Sequence, residues 1–116
     1  MVIRTTIRTA LRTVEYWKEH NIPSLAAQRA LPRRIEPVPE TASQAIEYAR
    51  ALSVTAANHL SRGFDALREA AVEMETMREA KSIPPDFYAV AATKISGFLE
   101  SAQQALEKAE AELPPA

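Results

Sequence analysis

Between Thr41 and Lys81 the small and apolar residues fall along one line of a helix. Ile46, Ala49, Ser53, Ala56, Leu60, Gly63, Leu67, Ala70, Met74 and Met77 recur in three-four alternation, the spacing that turns one helix face toward another helix. No proline interrupts the stretch, and Thr41 followed by Gln44 has the arrangement of a capping box. The pattern predicts a single helix over about 41–81, roughly 60 Å long at about 1.5 Å per residue. Ser53, Thr55, Asn58 and Gly63 weaken its middle and place the expected kink between 58 and 63.

A second helix is predicted over about 86–113. Phe87, Val90, Ala91, Ile95, Phe98, Ala102, Ala105, Leu106 and Ala109 share one broad face, and Pro114 with Pro115 closes the segment. Ser82-Ile83-Pro84-Pro85 separates the two helices, because neither proline can continue an incoming helix and Pro85 or Asp86 suits the start of the next. The two therefore form an antiparallel helical hairpin. The second is only about 40 Å long and covers about the C-terminal two-thirds of the first. Counted outward from the turn, Gly97 lies level with position 70 rather than with Gly63. Alanines and glycine on the seam allow an interaxial distance near the short end of about 8–10 Å and leave a shallow core.

The head of the chain has a different pattern. Ile3, Ile7, Ala10, Leu11, Val14 and Trp17 repeat at helical spacing, while Arg4, Arg8 and Arg12 form their own ladder. An amphipathic helix over about 2–20 is predicted, although four threonines lower its propensity. Asn21-Ile22-Pro23 reads as its stop, with a short helix capped by Ser24 running to Leu31. The expected organisation is a basic helical segment over 1–31, a proline-rich connector over 32–40 and a hairpin domain over 41–116. The fold class is all-α. It is a three-helix bundle if the head docks near Ile46, Ala49 and Leu52, and an extended hairpin if it does not.

Composition narrows the chemistry. The chain has no cysteine, which removes disulfides, thiolate metal sites and a cysteine nucleophile together. At 116 residues it is one domain's worth, and 25% charged residues argue against wholesale disorder. The longest apolar run, Phe87 to Ala92, is far short of the roughly 20 residues that cross a bilayer.

The net charge of −1 conceals an asymmetry. Residues 1–34 carry seven basic groups against two acidic ones, and residues 35–116 hold the other seven basic groups against thirteen acidic. A basic head and an acidic body attract each other within one molecule or between neighbours.

No catalytic constellation emerges. His20, at the expected end of the head helix, suits a role at the helix dipole. His59 and Ser61, two apart on one helix, point in different directions, and no strand-turn elbow is present, so His59, Ser61 and Asp65 do not make a triad. Neither histidine has an i+3 or i+4 ligand partner, so no metal, cofactor or enzymatic activity is expected. Arg29, Arg33 and Arg34 add to the arginine ladder, but an acidic body disfavours nucleic acid.

The expectation is a non-catalytic structural or accessory subunit that packs against a protein partner or a second copy. Its candidate contact residues are Ile3, Arg4, Ile7, Arg8, Leu11, Arg12, Trp17, Ile46, Ala49 and Leu52. The alternative is a peripheral membrane protein whose basic helix lies on anionic lipid. A secretion or phage-type chaperone or scaffold is a third reading. An intracellular location is favoured, and the acid-free basic N-terminus also fits a mitochondrial presequence.

Overall fold

The computed structural model describes residues 2–32, 36 and 38–114. All regular elements among them are helical: α1 (Val2–Tyr16), a π-helical turn (Trp17–Asn21), α2 (Ile22–Ala26), α3 (Ala42–Leu52), α4 (Val54–Glu79) and α5 (Pro85–Glu112). They form an elongated body measuring 47 × 20 × 18 Å.

The antiparallel hairpin of α4 and α5 is the spine. Ala56, Leu60, Gly63, Leu67, Ala70 and Met74 on α4 are buried, and Ile95, Leu99, Ala102, Leu106, Ala109 and Leu113 form the matching stripe along and just beyond α5. Both stripes keep four-three spacing, so large side chains on one helix can enter spaces beside small residues on the other. Gly63 is the closest instance: a Cβ placed there would lie 2.8 Å from Leu106 Cγ and Cδ2. Gly97 faces open space. An exposed cross-helix pair, Lys94 Nζ to Glu73 Oε1 at 2.8 Å, marks the same register. Glu73 raises the Lys94 pKa above its ordinary value, through the hydrogen bond first and its charge second.

Several expectations change. The single helix over 41–81 is broken at Ser53, whose extended backbone (φ −161°, ψ 116°) separates α3 from α4. Its hydroxyl accepts the Ala56 N–H at 3.2 Å and caps α4, while its own N–H closes α3 on Ala49 O at 2.7 Å. Between 58 and 63 the helix is continuous, because burial of Leu60 and Gly63 outweighs the local propensities. Thr41 makes no side-chain cap to α3. Its hydroxyl is instead 2.6 Å from that of Thr6 on α1.

Asn21-Ile22-Pro23 does not stop the head helix. The backbone widens into the π turn, with Ile22 N–H donating to Trp17 O, and Pro23 then sits in the first positions of α2. Ser24 does not cap a helix; its hydroxyl donates to His20 O at 2.8 Å. The true stop is at Gln28, which has φ 54°. Gln28 N–H bonds Leu25 O and Arg29 N–H bonds Ser24 O, the two bonds of a Schellman motif without its usual glycine.

On α5, Phe87 and Val90 leave the expected core face and are exposed, whereas Leu99, outside the expected set, is buried. The four-three stripe explains both, since Leu99 is on it and neither Phe87 nor Val90 is. The connector residues 33–35 and 37, with Arg33 and Arg34, lie outside the described residues, as does Pro115.

Candidate interaction surface

The head docks on its own body. Ile3, Ile7, Ala10, Val14 and Trp17 are at most 2% exposed, and α1 lies against α3 and α5 while α2 lies against α5. The three-helix alternative is therefore the one adopted, with α3 as a short elbow at the end of the spine. Burial of this α1 stripe is the apolar part of the contact.

Charge complementarity supplies the polar part. Arg4 Nη2 donates to Pro114 O at 2.5 Å, and Arg8 Nε lies 3.9 Å from Glu110 Oε2. Lys18 Nζ bonds Glu100 Oε2 at 3.1 Å and the side-chain oxygen of Gln103. Arg8 and Lys18 thus close on acidic groups of the same chain, and Arg4 on a backbone carbonyl. The paired side chains are all partly exposed, so each pair is worth about 0–1 kcal/mol. Arg4 Nε and Glu110 Oε2 are themselves buried without a hydrogen-bond partner among the described residues.

The candidate contact residues consequently divide. Ile3, Ile7, Trp17 and Ala49 belong to the core and are closed to any partner in this conformation. Arg4, Leu11 and Ile46 are partly buried, while Arg8 and Arg12 are exposed. Leu52 is 50% exposed. The ten do not make one surface.

A smaller surface lies around Leu52. Tyr48, one turn earlier on α3, is 50% exposed, and Val54, just past the Ser53 break, is 61% exposed. Both fall outside the candidate set, and like Leu52 they lie off the seam that organises this part of the chain. The available signal is their character: large apolar side chains off the seam have no partner within the hairpin. Phe87 and Val90, with Val72, are the other large apolar residues left open among the described residues.

No cluster of three or more metal-ligating side chains occurs among the described residues. His20 lies against the Tyr16 ring at 4.3 Å between centroids, and since the helix runs on past it to Ala26 it does not occupy a helix terminus. Asn21 is fully buried, donating from Nδ2 to Met74 Sδ at 3.0 Å. Its Oδ1 and the Trp17 Nε1 have no hydrogen-bond partner among the described residues. No helix there is long and apolar enough to cross a membrane. Comparison with known protein families, with curated proteins and with solved structures finds no match.

Proposed function

We propose that the protein is a non-catalytic helical accessory subunit that works by packing against another protein, with the α3–α4 elbow as its contact surface. The observation that carries this reading is the half-exposed group Tyr48, Leu52 and Val54. Full burial of an aliphatic side chain of this size contributes about 1.5–3 kcal/mol, so covering what remains open on three such residues would contribute a few kcal/mol. The rigid hairpin behind the elbow limits the ordering cost of that contact.

The test is recovery of a stoichiometric partner, or of a second copy, by tagged wild-type protein and by a Leu52→Asp variant from the native source. Size exclusion with light scattering accompanies it. Wild type is expected to carry the partner and L52D to lose it, with equal helicity by circular dichroism. Equal recovery by both, or a wild-type monomer that carries nothing in stoichiometric amount, overturns the reading. Membrane association through the basic helix would compete with the intramolecular burial of Ile3, Ile7 and Trp17.

A further inference from the structure

At the end of the molecule away from the elbow, the C-terminal ends of α2 and α4 meet the turn into α5 around a cavity of about 340 Å³. That size lies near the lower end of small-molecule sites, which run from about 300 to 1,000 Å³. Leu25, Leu31, Met77 and Tyr88 give it apolar walls, and Arg29, Arg78 and Lys81 line it with three cations. Among the described residues no aspartate or glutamate lines it, although Glu75 pairs with Arg78 beside it. In a chain whose net charge is −1, that is a local excess of positive charge against an apolar surface.

The three cations differ in how they are held. Arg78 is fixed, with Nη1 on Glu75 Oε2 at 3.2 Å and Nη2 on Pro32 O at 3.4 Å, and its side chain is 23% exposed. A guanidinium has five N–H donors, so these two contacts leave it capacity for a further acceptor. Arg29 and Lys81 are exposed and can close from the rim.

Cations near helix ends commonly serve the helix dipole, and Arg78 and Lys81 at the end of α4 fit that role. Arg29, just past the C-terminal end of α2, stands in the same relation to that helix, so the dipoles explain each cation singly but not why cations from two helix ends line one apolar cavity. We propose that this cavity binds an amphiphilic monoanion, a carboxylate head on a short aliphatic tail. The head would sit among Arg29, Arg78 and Lys81, and the tail among Leu25, Leu31 and Met77.

The probes are octanoate, octanol and acetate, each titrated into the full chain at low salt and followed by amide and side-chain NMR shifts. Octanoate is expected to move Arg78, Lys81 and Tyr88 signals saturably, while octanol and acetate at equal concentration move them little. A double variant, Arg29→Gln with Lys81→Met, changes only exposed side chains, and should weaken octanoate binding by about tenfold through loss of two charges. Equal response to octanol would reduce the cavity to an apolar pocket, and equal response to acetate would reduce the cations to counterion binding. Either outcome, unchanged octanoate affinity in the double variant, or no saturable shift with octanoate into the low millimolar range, overturns the proposal.

Discussion

Gly63 and Gly97 lie in adjacent helices, yet their surroundings predict opposite responses to alanine. At Gly63 the added methyl would lie 2.8 Å from Leu106, whose side chain is fully buried and has little room to move. Overpacking of this kind costs about 1–3 kcal/mol, against about 1 kcal/mol gained in helix propensity. Gly63→Ala should therefore destabilise the protein by up to about 2 kcal/mol. At Gly97 no atom lies within 4 Å of the added carbon, so only the propensity gain applies. Gly97→Ala should stabilise by about 0.5–1 kcal/mol. Urea unfolding of both variants checks the pair, and a stabilising G63A would mean that the spine is looser than its geometry implies. The sequence already separates these residues, because Gly63 falls on the seam and counting from the turn sets Gly97 level with position 70. It does not show that Leu106 fills the space, since that depends on the rotation of α5 about its axis. The same rotation exposes Phe87 and Val90 and buries Leu99.

At the scale of elements, the break at Ser53 decides what the elbow presents. One long helix is a fair reading of the periodic seam, because Ser53 occupies a seam position and serine is only mildly unfavourable within a helix. What overrides periodicity here is capping: an extended Ser53 loses one helical residue but satisfies the first turn of α4 through its hydroxyl. Asn58 could cap in the same way, but the helix passes through it and through Gly63, where Leu60, Gly63 and Phe64 are buried. Ser53→Ala should cost about 1 kcal/mol in urea unfolding by removing the cap, and Ser53→Asp should recover the loss. An alanine variant as stable as wild type would show that tertiary contacts alone set the break. The head repeats the lesson with Pro23. A proline after Asn-Ile reads as a stop, yet a π turn lets the chain carry the ring into α2 and end five residues later at Gln28. Sequence pattern locates the unfavourable residue, while the packing around it determines whether the helix ends or deforms.

For the whole molecule, the question is whether charge or apolar burial holds the head to the body. Charge asymmetry is the more visible in the sequence, and the contacts it implies are present at Arg8–Glu110 and Lys18–Glu100. Their exposure limits them to about 0–1 kcal/mol each. Against this, Ile3, Ile7, Val14, Trp17 and Leu25 are at most 2% exposed, and burying side chains of this kind contributes about 1.5–3 kcal/mol each before ordering costs. The unpartnered Trp17 Nε1 and Asn21 Oδ1 offset part of that gain, at about 1–3 kcal/mol per buried group. Apolar burial still outweighs the ion pairs, so the head should stay docked when they are screened. Trp17 is the sole tryptophan and is 1% exposed, which makes its emission a direct reporter. Its spectrum should remain blue-shifted from low salt to about 1 M NaCl, where the Debye length falls to about 3 Å. Ile7→Asp, which places a charge in the docked face, should shift the emission to the red at any salt concentration. A red shift of wild-type protein on adding salt would instead make the head a charge-held arm, available to an acidic partner or an anionic surface. If emission is salt-independent, a membrane would have to displace the apolar contact itself, whereas the elbow around Leu52 is a surface that a partner could reach without undoing the fold.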